Sequence, residues 1–267
     1  MLRWLIFLPL CLFLQDLRWT GEQDFPTEGP TQENRSQEPG EQIIEEILRT
    51  DPPKFLQMSL DRYEREVQGY SCILVKKERV EGKVKPTEKT ECHFKEEPFS
   101  VYMNWLKGVG EAQRVLYVKG ENKDKMLARP AGLLGLAGVL PFDTDSPKAK
   151  KAGRYLITQF GIKLGTERTR KAMLSAQTRN ALFWDYKGIF LVPEVGNRRC
   201  YKLVRTPYEP LEDEGVYELT IYLDVETWLQ VGSILKGPND QFIAEYFFRD
   251  VRINPAFKEN QFKKSAL

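Results

Sequence analysis

The chain has 267 residues, 41% of them hydrophobic, and its 40 basic and 38 acidic side chains leave a formal net charge of +2. That length holds one domain of ordinary to large size plus tails, and the apolar fraction suffices for a real core. The two signs of charge are interspersed along the sequence, which excludes the one-sided basic footprint of a nucleic-acid binder.

Met1 to Leu14 carries one basic residue, Arg3, followed by the uncharged run Trp4 to Leu14. Such a run matches a signal-peptide core and falls short of the ~20 apolar residues that a membrane span requires. Residues 1–20 are therefore read as a signal peptide, or as an uncleaved N-terminal anchor, because Gln15 to Thr20 lacks a small-x-small cleavage pattern. Either reading makes the chain an exported one, periplasmic or held in the cell envelope, with no membrane span beyond this segment. Residues 21–41, rich in Glu, Gln, Pro, Gly, Ser and Thr, cannot bury enough surface to offset the entropy of ordering and read as a disordered linker.

Order is expected from residue 42. Ile43, Ile44, Ile47 and Leu48 recur with helical spacing, and Asp51-Pro52 supplies an N-cap followed by a proline at the first helical position. Leu56, Leu60, Tyr63 and Val67 then mark one face of a second helix, with Gly69 placed to cap its end. The run Tyr70 to Phe94 reads as a hairpin turning between Glu81 and Pro86, and a turn near Gly82 brings Cys72 and Cys92 close to opposite one another. A disulfide between them, a pairing of Cys200 with either, and buried free thiols all fit this spacing. Phe99, Val101, Met103 and Trp105 alternate with Ser100, Tyr102 and Asn104, the pattern of a half-buried strand, and the strands around it complete an antiparallel meander as far as Ala128.

Pro130 to Phe142, PAGLLGLAGVLPF, is thirteen residues without a charge. It is too short to cross a bilayer, and its glycines disfavour a continuous strand or helix. Its readings are a loop folded onto the core, a lid over an apolar cavity built from Leu133, Leu134, Leu136, Val139, Leu140 and Phe142, or a patch for a membrane or partner. Asp143 and Asp145 follow in a polar, lysine-rich turn that keeps carboxylates ionised and solvated. Tyr155 to Gln177 reads as mainly helical, with Thr158 available as a cap. Strands return with Ala181 to Val192 and Arg199 to Val204. Tyr217, Leu219, Ile221 and Leu223 then share one face of a strand, Trp228 to Leu235 form the next, and Phe242, Ala244, Tyr246 and Phe248 share a face of the last.

This order predicts an α+β fold in which a strongly curved antiparallel sheet or unclosed β-barrel is covered by N-terminal and mid-chain helices. It forms one domain over residues 42–257, followed by a C-terminal tail, 258–267. The segments YSCILVKKERVEGK, PFSVYMNWLKG, RVLYVKGENKDKMLA and GRYLITQFGI, in this order and spacing, resemble the exported bacterial family called domain of unknown function 1571, best represented in planctomycetes. The likeness runs from about Ile43 to Phe257, and departs from the family pattern at Leu156, where proline is usual, and in Lys148 to Lys151. More remotely, Asp224-Val225-Glu226-Thr227 and the closing FRDVRINPAF are similar to the periplasmic lipoprotein-carrier superfamily (LolA/LolB-like). That similarity implies an unclosed barrel with an apolar face under helices and a loop, able to receive acyl chains.

The residues offered for such a face are Phe99, Val101, Met103, Trp105, Tyr217, Leu219, Ile221 and Leu223. The function expected is a non-enzymatic binding module for a lipid, lipoprotein or other hydrophobic ligand, the alternative being a module for an envelope protein partner, regulatory or sensory. No nucleophile elbow, phosphate loop or zinc-ligand spacing occurs. Cys92 and His93, the only histidine, are strand neighbours that point to opposite faces. No catalytic residue, cofactor or metal is expected.

Overall fold

The structure, a computed structural model, describes residues 39–206 and 214–267. The segment read as a signal or anchor and most of the stretch read as a linker lie outside the described residues. Helix α1 (Glu41–Thr50) leads into α2 (Pro52–Glu66), whose first turn is fixed by prolines and by Asp51, which accepts a hydrogen bond from Lys54 N at 3.1 Å. The end of α2 is not secured by Gly69. Asn254, near the far end of the chain, does this instead: its amide nitrogen donates to Glu66 O at 2.7 Å and its oxygen accepts from Gln68 N at 2.7 Å.

Twelve strands make one antiparallel sheet. They are β1 (Gly69–Val80), β2 (Lys83–Val84), β3 (Glu88–Lys95), β4 (Ser100–Lys107), β5 (Ala112–Val118), β6 (Met126–Pro130), β7 (Leu140–Phe142), β8 (Trp184–Val192), β9 (Arg198–Arg205), β10 (Glu218–Asp224), β11 (Gln230–Lys236) and β12 (Phe242–Ile253). Their order is β7-β6-β5-β4-β3-β1-β12-β11-β10-β9-β8, with β2 paired only to β1, so β7 and β8 are free edges and the sheet does not close. A sheet of this many strands curls. The unclosed, helix-covered sheet expected from the sequence is the one observed.

One face of β8 to β12 is filled by helices. Ile44, Leu48, Phe55 and Leu56, with Met173 of α4 (Ile162–Gln177), pack against Tyr201, Leu203, Leu219, Ile221 and Leu223. α4 begins at Ile162, later than the helical reading from Tyr155 placed it. Gly161 takes φ 133°, a conformation open to glycine, and Ile162 N donates to the buried Tyr70 hydroxyl at 3.1 Å, so the sheet itself caps the helix. Thr158 lies in a preceding turn of 3-10 helix and caps nothing. The lysine-rich turn contains a short helix, α3 (Pro147–Ala152), started by Ser146, whose hydroxyl accepts from Ala149 N.

The other face of β4 to β6 is also apolar, through Tyr102, Leu116, Val118 and Leu127. Residues 258–267 pack there, with Leu267 buried in the cluster and its oxygen accepting from Arg129 at 2.7 Å. The last ten residues therefore belong to the folded body. Among the described residues no helix is long and apolar enough to cross a membrane.

Candidate functional site

A cavity of about 400 Å³ opens where β3, β4 and β5 meet the connection into α4. Phe94, Phe99, Tyr117, Phe160 and Leu164 give it an apolar wall, and Glu96, Lys119, Lys163 and Glu167 give it a charged mouth. The wall is one aromatic cluster. Phe94 meets Phe99 edge-on at 5.3 Å between centroids, Phe99 meets Tyr117 at 6.1 Å, and Phe160 leans on Phe94 at 6.0 Å. The rings are held because Phe94 also stacks on Tyr70, the residue that caps α4.

At the mouth, Lys163 binds Glu64 at 2.9 Å, and that bond, with Glu96 and Glu167 nearby, holds its ammonium above the ordinary range. Behind the wall, burial and then Glu96 push the Tyr63 phenol well up. Yet Tyr63 Oη and Glu96 Oε1 are both buried without a hydrogen bond of good geometry. Glu96 thus brings a buried oxygen without a good hydrogen bond to the edge of an apolar hollow, at a cost that a bound polar group or water would relieve.

Of the eight residues proposed for an open apolar face, only Phe99 lines this cavity. Val101 is fully buried and Met103 half-buried against the core behind it, while the Trp105 indole donates to Glu88 at 2.6 Å. Leu219, Ile221 and Leu223 lie beneath the helices as filled core, and Tyr217, just before β10, is exposed. The lid expectation is corrected too: Leu133, Leu134 and Leu136 are 87%, 73% and 87% exposed on a turn of 3-10 helix, and Leu140 is exposed beside them. Val139 packs near the C-terminal segment and Phe142 lies beneath Lys148. The tip of the loop neither folds onto the core nor lines the cavity, where Thr158, Phe160 and Gly161 stand instead.

Sequence reasoning missed Glu96, Lys119, Phe160, Lys163 and Glu167. The legible signal was Lys163 and Glu167, one helical turn apart behind the Phe160-Gly161 break.

A second polar constellation lies on the same side of the sheet. Lys76 Nζ bonds Glu78 at 2.9 Å and stands 3.6 Å from Glu88, Tyr246 donates to Glu78 at 2.6 Å, and Arg154 N donates to it at 3.3 Å. Lys76, Glu88 and Tyr246 are direct cross-strand neighbours, so the register assembles the cluster. Gly153 lies so close that an added Cβ would stand 3.1 Å from both Glu78 Oε2 and Lys76 Nζ, which lets the segment after α3 cross the sheet here. Every charge in it is answered, as in a structural tie rather than a reactive group.

The cleft of about 340 Å³ beside Arg198 is closed in the same way. Arg198 grips Asp224 through two bonds of 2.6 and 2.9 Å, and Asp224 also accepts from the backbone of Glu226 and Thr227.

Cys72 stands directly opposite Cys92 in the β1–β3 register, and the structure holds both, with Cys200, as buried thiols. Cys200 is on β9, with β12, β11 and β10 between it and β1. At ~4.8 Å per strand that is about 19 Å along the sheet, beyond the reach of a disulfide. Among the described cysteines only Cys72 and Cys92 stand directly opposite one another.

Comparison with solved structures gives many distant likenesses, three of which follow. The Mycobacterium tuberculosis lipoprotein LppX is 11% identical, with 78% of this chain and 99% of that one covered and a TM-score of 0.45. The MucB chain of the Pseudomonas aeruginosa MucA/MucB complex is 17% identical, with 80% of this chain and 61% of that one covered and a TM-score of 0.45. A LolA superfamily protein from Nitrosomonas europaea is 6% identical, with 79% and 98% covered and a TM-score of 0.30. No curated protein matches the chain. A family model does, over residues 67–266, which include every strand of the sheet: the chain belongs to the family described as "Protein of unknown function (DUF1571)".

Proposed function

We propose that the protein is a non-enzymatic binding module for an amphipathic ligand with an apolar chain, held in the cavity between β3 to β5 and the start of α4. The observation that carries this reading is the cavity itself, an aromatic wall and a charged mouth in a sheet otherwise filled by helices. About 400 Å³ falls in the range of small-ligand sites, and at ~30 Å³ for a group the size of a water it takes roughly a dozen such groups. Burying ten methylenes at ~0.8 kcal/mol each gives about 8 kcal/mol before the cost of association, enough for reversible binding once polar contacts at the mouth are added. The mixed charges of Lys119, Lys163, Glu96 and Glu167 suit a polar head. Export to the periplasm or cell envelope, with residues 1–20 as signal or anchor and 21–41 as tether, is part of the proposal.

The test is extraction of the purified full chain with organic solvent, followed by mass spectrometry. The reading expects a co-purifying amphiphile whose yield falls in a Phe99→Asp variant; a wild-type extract no richer than that of the variant counts against it.

A further inference from the structure

The antiparallel ladder brings one set of turns to a single end of the sheet. The registers Lys76↔Glu88, Lys89↔Lys107, Ala112↔Pro130 and Ala128↔Leu140 place the β1–β3 turn, the β4–β5 turn and the β6–β7 loop side by side there. The cavity lies toward the opposite end, where Glu96, Phe99 and Lys119 mark the other termini of β3, β4 and β5.

Each of those turns exposes large apolar side chains. They are Val84, Leu106 and Val109, with Leu133, Leu134 and Leu136 standing furthest out, half of the large hydrophobics exposed among the described residues. Scattered singly such residues need no explanation, but collected on neighbouring turns at one end of a fold they mark a surface to be covered. The same end carries exposed Lys83, Lys107, Lys148, Lys150 and Lys151, which outnumber its exposed acidic Glu81 and Glu111, while Asp143 bonds Lys125 at the other end of β6. Lys148 stands at the foot of the loop, 5.7 Å from the Phe142 ring centre and 3.7 Å from Glu111, whose backbone oxygen accepts from Ala131 N.

We infer that this end of the sheet is a docking surface for an anionic lipid bilayer, with Leu133, Leu134 and Leu136 entering the interface and the lysines facing lipid headgroups. Charge selects this occupant. A second copy of the chain would set these lysines against their equivalents, whereas an anionic surface meets them with opposite sign over its whole area. Isolated aliphatic side chains on a short turn give shallow, reversible attachment, because three leucines bury little beside a spanning helix.

The test is backbone hydrogen exchange of the full chain, read at residues 130–142, with and without vesicles. Reading the loop itself separates its behaviour from any effect of the N-terminal apolar run. Vesicles of phosphatidylcholine mixed with phosphatidylglycerol should slow exchange in 130–142 several-fold and pure phosphatidylcholine should do so less; a variant carrying Leu133→Ser, Leu134→Ser and Leu136→Ser should lose the effect while the strands keep their protection. Unchanged exchange in 130–142 with the mixed vesicles would overturn the inference. So would protection that appears without lipid and rises with protein concentration, which would assign the surface to self-association.

Discussion

At the scale of single residues, the buried carboxylates Glu78 and Asp224 are where chemistry and stability meet. Burial alone would raise both, but Lys76, Tyr246 and Arg154 hold Glu78 below its ordinary 4.5, and Arg198 with Thr227 holds Asp224 below 3.8. As pH falls, the unfolded chain therefore takes up protons first. The stabilisation is complete above the ordinary carboxylate values and is lost as pH falls through them toward the depressed folded ones. The urea midpoint should drop between about pH 5 and pH 3. Asp224→Asn, weaker at neutral pH because Arg198 keeps only Glu226 as a carboxylate partner, should show a shallower acid slope. Glu78→Gln leaves Lys76 buried with only Glu88 3.6 Å away and should cost about 3–5 kcal/mol in urea unfolding. Glu81→Gln on the exposed turn should stay within ~0.5 kcal/mol. None of these ties was legible in the sequence, since Lys76 and Glu78 read as ordinary strand charges until the β1–β3 and β1–β12 registers set Glu88 and Tyr246 beside Lys76.

At the scale of elements, periodicity did most of its work where a strand has one apolar face. Ala244, Tyr246 and Phe248 share a face as alternation implies, whereas a register shift before Ala244 takes Phe242 out of the pattern and sets its ring against Lys77; the opposition of Cys72 and Cys92 follows from a turn near Gly82. It misled where both faces of a strand are covered. Tyr102, which reads as the outward residue of the Phe99–Trp105 alternation, is buried beneath residues 258–267. A lysine-rich segment outside the periodic pattern gave no sign of this, because its anchoring residues, Phe262 and Leu267, are few and widely spaced. Leu267→Ala should consequently lower stability by about 2 kcal/mol, at the lower end of core truncations because the cluster lies near the surface. Circular dichroism melts of the two chains measure this directly. The loop 130–142 misled in the other direction: an uncharged sequence implies burial only when something is available to bury it, and no described element lies over Leu133, Leu134 and Leu136.

At the scale of the whole molecule, the sheet has unlike ends: an aromatic cavity with a charged mouth toward one, exposed leucines and lysines at the other. The unclosed sheet and its helix cover were foreseeable from the order of elements. The cavity was not, because its walls come from β3, β4, β5 and a connection more than forty residues later in the chain, and because most of the proposed face is filled by α1, α2 and α4. The central claim is that this cavity holds the apolar part of a ligand. Titration of a fluorescent fatty acid into the full chain and into a Leu164→Arg variant, which sends a cation into the hollow, tests it most directly. The account predicts saturable binding by the wild type, weakened at least about tenfold (~1.4 kcal/mol) by Leu164→Arg and unchanged by Leu191→Ser on the exposed part of β8. Equal affinity in the wild type and Leu164→Arg, or no saturable binding by either, would contradict it.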